Sequence, residues 1–286
     1  MVAYLRRMDS YAEVTYEVAA RVATVRLDRP HARNGYTVRM ADELADALDR
    51  ADRDESVRAV VLGSTGEDFS VGADLASGGF EFETGDGPPA GWLEPAGRVS
   101  RRIFTMNKPV IAALRGASVG AGITITLSCD YRFASADSKF GFVFTRRGIA
   151  PEGGSAWYLP RLVGMGTALD WMMSGRVFGP DEALRAGLVH RILPPDEVLA
   201  RAQELARELA ANTAPVAVAV TRQMLYRMAF APTPFDTHDL DSRLVGELPT
   251  NADAAEGVQS FLQKRSPEFI RRVDTDLPSY LPWASE

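Results

Sequence analysis

The chain has 286 residues, 46% of them hydrophobic, enough for a large core within one α/β domain. Lys and Arg number 32 against 38 Asp and Glu, and this net charge of −6 argues against general affinity for nucleic acid. One cysteine, Cys129, excludes an internal disulfide framework and suits a reducing cytoplasm, while the N-terminal MVAYLRRMDS lacks the apolar core of a signal peptide and no apolar run approaches the ~18 residues of a membrane span.

Residues 1–11 read as a loose lead-in. Residues 13–18 (EVTYEV) and 22–27 (VATVRL) alternate apolar and polar, the pattern of a hairpin. Arg29-Pro30 ends the second strand, and Thr37 is placed to cap a helix running to about Ala51. Met40, Leu44, Ala47, Leu48 and Ala51 fall on one face of it. Residues 57–64 (VRAVVLGS) form the next strand, which suggests a right-handed strand–helix–strand crossover. Residues 76–92, rich in glycine and acid, suit either a mobile loop or an inert insertion. A helix over 93–106 turns Val99, Ile103 and Met106 inward. A buried strand at 110–114 follows, then a glycine-rich turn into an apolar helix at 123–129 and a strand at 130–134. Helices are predicted from Ser155, Gly166 and Pro180, and a short strand at 188–193. After Pro194-Pro195 the chain is helical over 196–212, 214–230, 236–246 and 251–264.

Three stretches carry chemistry. FSVGADL (69–75) and RGASVGAG (115–122) each leave a strand through small residues. Such turns can aim two backbone N–H groups at one point, as an oxyanion hole requires. Pro151-Glu152-Gly153-Gly154 frames one carboxylate between residues that force a turn. Each motif also has a plain structural reading: a tight strand exit, or a first-turn acid that meets the helix dipole. There is no HExxH and no GxSxG. Gly164-Met165-Gly166 lacks the rest of a dinucleotide fingerprint, so neither a metal nor NAD is expected.

Four ordered motifs resemble the enoyl-CoA hydratase/isomerase (crotonase) family. FSVGADL is similar to its F-[SA]-A-G-A-D-L element, and KPVIAALRGASVGAG to KPVIAAVNG-x-x-x-GGG. LDRPHARNGYT is similar to LNRPEKRNALS, and SGRVFGPDEALRAGLVHRIL to LTGR-x-[FI]-x-A-x-EA-x-x-x-GLV. The resemblance covers roughly residues 14–265. It implies an α/β spiral of β-β-α units over 1–195 and a helical trimerisation region over 196–265; residues 266–286 extend past the usual family end, and their aromatics and prolines suggest packing on a surface or a neighbour.

Carried over by motif position, the resemblance gives the thioester oxygen to the N–H groups of Ala73 and Ala121. Ala121 stands where the family has the middle glycine of GGG. Hydratases of the usual type carry two glutamates. Here those positions hold Thr124 and Phe144. Glu152 matches the single glutamate of the isomerase-like branch, which shifts a double bond by taking a proton at one carbon and returning it at another. The rival expectations are hydration by one glutamate and a positioned water, a non-catalytic acyl-CoA binder or assembly subunit, and thioester hydrolysis. The CoA and acyl chain are expected to meet Arg29, Ala32, Arg33, Ser70, Val71, Asp74 and Leu75, with the Asp74 side chain capping backbone. Phe261 and Lys264 match an element that reaches a neighbouring subunit's CoA, so a homotrimer or dimer of trimers is implied. Coenzyme A enters as part of the substrate, and no other cofactor is expected. Glu94 and the loop acids Glu81, Glu83 and Asp86 could reach a pocket if the loop closes, but they read first as solvated charges.

Overall fold

A computed structural model of the chain describes residues 10–75 and 91–284. Most of the lead-in and of the predicted loop, including Glu81, Glu83 and Asp86, lies outside these residues. Strands β1 (Val14–Ala19) and β2 (Val22–Leu27) pair antiparallel through the two-residue turn Ala20-Arg21, whose φ values of 48° and 64° are both left-handed. That sense of turn matches the twist of a tight hairpin. Helix α1 (Val38–Arg53) starts where Thr37 Oγ1 accepts from the Met40 N–H at 2.9 Å, and its five predicted core residues are all buried.

The chain then winds as a spiral. Strands β2, β3 (Ala59–Ser64), β4 (Val110–Leu114), β6 (Tyr131–Ser135) and β9 (Arg191–Leu193) lie parallel in that order, with β1 on one edge. A smaller sheet holds β5 (Ala117–Val119), β7 (Lys139–Gly141) and β8 (Val177–Phe178). Each turn passes through the large sheet, then the small one, then a helix. Strands β4 and β5 lead to α3 (Ala121–Thr124), and β6 and β7 lead to α4 (Ser155–Val163). The earlier turns do the same with single residues. After β3, Ser70 bridges to Ser118 before α2 (Pro95–Thr105), and after β2, Tyr36 bridges to Ala73 before α1. The helix expected at 123–129 is divided, α3 being followed by a 3₁₀ turn at Ile125–Ser128.

Period-two alternation sorts the large sheet into two faces. Ala23, Val25, Leu27, Val60, Leu62, Val110 and Ala112 face α1 and α2. Val22, Val61, Ile111 and Phe133 face Val198, Ala202 and Ala206 of α7 (Val198–Asn212). Helix α7 therefore completes the core of the sheet that precedes it. Between these stretches α5 (Met165–Ser174) and α6 (Pro180–Arg185) follow α4. Helices α8 (Pro215–Met228), α9 (Phe235–Gly246) and α10 (Ala252–Gln263) come next. The C-terminal extension folds back on its own chain, burying Leu281 and Trp283 against Val216 and Val220 of α8 and Leu240 of α9.

A buried ion pair locks α8 to the spiral. Arg222 Nε lies 2.9 Å from both oxygens of Asp130. Its other nitrogens donate to the carbonyls of Ile103, Phe104 and Met106 at the end of α2. Asp130 also accepts from the Val110 N–H and the Tyr226 hydroxyl, so its carboxylate ties three segments together. Asp130→Asn leaves the buried guanidinium without its counter-charge. A loss of about 3–5 kcal/mol is expected, read as a lower urea midpoint, and an unchanged midpoint would refute this role.

Candidate active site

Two backbone turns cross at the end of the spiral. Ser70 N–H donates to the Ala117 carbonyl at 2.9 Å, and Val119 N–H donates to the Ser70 carbonyl at 3.0 Å. Gly72 takes φ +90° and Gly120 φ +54°, a region that favours glycine. A Cβ on Gly72 would stand 2.9 Å from the Val119 carbonyl oxygen, and one on Gly120 would stand 3.7 Å from Gly72 Cα. The residues just after these glycines are Ala73 and Ala121, so the crossing brings together the two predicted N–H donors. Among the described residues neither N–H has an acceptor. That of Ala121 belongs to the first residue of α3, where helical N–H groups lack an internal partner. Ala121 has ordinary helical backbone and is buried, so the extra methyl fits without strain.

Asp74 holds the first turn from outside. Its N–H donates to the Tyr36 carbonyl at 3.0 Å, while the Tyr36 N–H donates to the Gly72 carbonyl at 2.8 Å. Its carboxylate meets Arg29 Nη2 at 3.0 Å. Arg29 also donates to the Gly35 carbonyl at 2.7 Å and sits 3.3 Å from Glu13. Its side chain is only 15% exposed, and its charge is paired within the turn. Ser70 is fully buried at the crossing. Ala32 and Val71 are half-buried, and Arg33 and Leu75 are exposed. Arg33 Nε pairs with Asp68 at 2.7 Å. Phe261 and Lys264 lie exposed at the end of α10, so within one chain they stand apart from this centre.

Glu152 enters on the turn before α4. Gly153 and Gly154 both take left-handed φ, 63° and 68°, and the Glu152 carbonyl accepts from the Ser155 N–H and hydroxyl. A Cβ on Gly153 would lie 3.1 Å from Thr124 Oγ1 and 3.4 Å from Ala96 Cβ, while one on Gly154 would lie 3.1 Å from the Tyr158 ring. The turn thus rests on α2, α3 and α4. Thr124, at the position of the family's first glutamate, supports the turn that carries Glu152. Burial pushes the Glu152 carboxyl up to about 7, and the charge of Glu94 adds to the effect. Tyr158 lies beside the turn. Phe140 packs at a tilt against Phe178, and Phe142 stacks with Phe178 and Trp171, elsewhere in the core.

Sequence reading missed two members of the site. Tyr36, fully buried, pairs its backbone with Ala73, while its phenol lies in the field of Glu152 and Glu94, which with burial raises its pKa well above the usual phenol range. Glu94 stands at the start of α2 and accepts from the Gly153 N–H through Oε1 at 2.8 Å. The available sequence signal was Glu94-Pro95 as a helix start. A contact 59 residues away along the chain has no local signature.

Comparison with known proteins places this geometry. The profile of the Enoyl-CoA hydratase/isomerase family matches residues 17–272. Enoyl-CoA hydratase ACTT3 of Alternaria alternata is 36% identical over 250 residues, covering 87% of this chain and 82% of that protein. The 1,2-epoxyphenylacetyl-CoA isomerase of Escherichia coli is 32% identical over 257 residues, covering 87% and 94%. The crystal structure of an enoyl-CoA hydratase from Bacillus anthracis superposes with a TM-score of 0.78 at 26% identity, covering 90% and 99%.

The crossing sets a steric prediction. A Cβ on Gly122 would stand 2.7 Å from Ser70 Cβ and 2.8 Å from the Ser70 carbonyl oxygen, so backbone must move. Gly122→Ala is expected to cost about 1–3 kcal/mol in thermal or chemical denaturation. Gly166→Ala, on α5 where nothing lies within 4 Å, is the control and is expected to be neutral or stabilising by up to about 1 kcal/mol.

Proposed function

The chain belongs to the enoyl-CoA hydratase/isomerase family, and we propose that this acyl-CoA enzyme shifts a double bond, converting a 3-enoyl-CoA to a 2-enoyl-CoA with Glu152 as the base. The observation that carries this reading is one half-buried carboxyl, pushed up to about 7 by desolvation, on the turn packed against α3. A base is most effective when its pKa lies near the working pH.

The thioester oxygen accepts from the Ala73 and Ala121 N–H groups. Glu152 takes a proton from C2, and the C–H electron pair moves through C1 to leave an enolate oxygen between the two donors. Each preorganised donor of this kind is worth roughly 10²–10³ in rate, about 3–4 kcal/mol. The enolate oxygen then re-forms the thioester carbonyl, the C1=C2 pair becomes the C2=C3 bond, the C3=C4 pair takes the proton back from Glu152 at C4, and the carboxylate is restored. No atom is gained or lost. The unpartnered N–H groups support the first step, and the single carboxyl at the motif position supports the proton shuttle.

Hydration of a 2-enoyl-CoA by Glu152 and a positioned water is the second reading. It is favoured by the 36% identical relative, which is named a hydratase. Arg33, Ala32, Val71 and Leu75 are proposed to border the CoA. The exposed Phe261 and Lys264 are proposed to act across a subunit boundary in a homotrimer or dimer of trimers, as the family resemblance implies.

Incubation with a 3-enoyl-CoA and, separately, a 2-enoyl-CoA distinguishes the readings. Conjugated absorbance without mass change from the first substrate supports the shift, and water gained by the second supports hydration. Glu152→Gln is expected to lower kcat by about 10²–10⁴ while acetyl-CoA still binds. Since an ionised carboxylate in an apolar setting costs stability, the same variant should melt no lower than the parent. Full turnover would remove Glu152 as the base. The base must be deprotonated, so kcat/KM should rise with pH up to about 7 and level off above it.

A further inference from the structure

Glu94 has no role in any of the four motifs, yet its placement is specific. It is the residue before Pro95 at the start of α2, and its side chain does not cap that helix. Oε1 reaches across to the Gly153 N–H at 2.8 Å, the peptide next to Glu152. Oε2 is buried and has no hydrogen-bond partner among the described residues. Gly97 packs against the carboxylate so closely that a Cβ there would lie 2.4 Å from Oε1. One oxygen is therefore engaged and the other enclosed, leaving Glu94 to act through Glu152 and not on a substrate.

We propose that Glu94 is the positioning residue of the Glu152 base: it pins the turn that carries Glu152 and sets a second carboxylate beside it. The inference rests on the reading that Glu152 moves the proton, and it holds for a double-bond shift or for hydration. A buried carboxylate oxygen without a donor is costly, and a second negative charge beside it more so. A proton on Glu152 relieves the repulsion.

Among the described residues, the surroundings contain nothing else that would serve. Around the turn stand Tyr36 from the segment before α1, Thr124 on α3 and Tyr158 on α4, all neutral near pH 7. Farther out, Arg98 of α2 pairs with Asp42 of α1 at 2.6 Å, so that cation is already matched. Glu94 is the charge that acts on Glu152.

Glu94→Gln and Glu94→Asp separate the two parts of the role. Gln keeps an acceptor for the Gly153 N–H but removes the charge. The acidic limb of kcat/KM against pH is expected to move down by about one pH unit or more, with acetyl-CoA binding and melting temperature held. Asp keeps the charge but falls short of the Gly153 N–H, so kcat should drop at least several-fold while the limb stays near its original pH. A Gln variant whose limb coincides with the parent overturns the proposal. If the Gln variant does not fold, carbon-13 NMR of glutamate-labelled parent protein decides. The carboxyl signal missing in Glu152→Gln should titrate near neutral pH, and titration in the ordinary carboxylate range overturns the proposal. Failure of the underlying reading looks different, because Glu152→Gln would then retain turnover.

Discussion

The site depends on how closely two stretches of backbone approach. Residues 70–74 and 118–122 exchange hydrogen bonds at Ser70, and a Cβ on Gly72 or Gly122 would come within 3 Å of the opposite segment. Side chains are excluded there, so the crossing presents peptide groups. The spiral makes the approach possible. Each turn leaves the large sheet at the same end and passes the small sheet, so the exits of β3 and β4 lie side by side. Arg29 and Asp74 secure the crossing from outside, and Tyr36 lies between it and the carboxyls.

The carboxyl chemistry is built by replacement at several positions. Thr124 and Phe144 stand where a usual hydratase has its glutamates. A glutamate at Thr124 would extend toward the Gly153 turn, to which even the threonine hydroxyl is close, 3.1 Å from a Cβ on that glycine. The small side chain thus accommodates the turn that brings Glu152. Desolvation of that glutamate costs stability, and the buried Arg222–Asp130 pair and the two-sided packing of the large sheet supply the rigidity that holds it in place.

The C-terminal region has two relations to this core. Helix α7 covers the outer face of the sheet, and α8 is fastened by Arg222 to the end of α2, the helix that begins at Glu94. The extension seals α8 and α9 with Leu281 and Trp283. Phe235, Val245, Val258, Phe261 and Leu262 remain exposed along α9 and α10. An apolar surface of this kind is compatible with the subunit contacts the family resemblance implies.

The sequence by itself determined whatever depends on near neighbours along the chain. Thr37 before an apolar face at helical spacing specified α1, alternation specified the β1–β2 hairpin, and small residues at 72, 120 and 153 specified three sharp turns, with Glu152 among them. Motif order supplied the family and the two N–H donors. Only the tertiary structure decided which charges meet. Arg29 finds Asp74 45 residues away, Glu94 finds Gly153 across 59, and the extension finds its own α8. Periodicity and turn chemistry are properties of a few consecutive residues, whereas burial and the partner of a charge depend on which distant segments the fold brings together. For that reason the proposed base was legible in the sequence, and the carboxylate beside it was not.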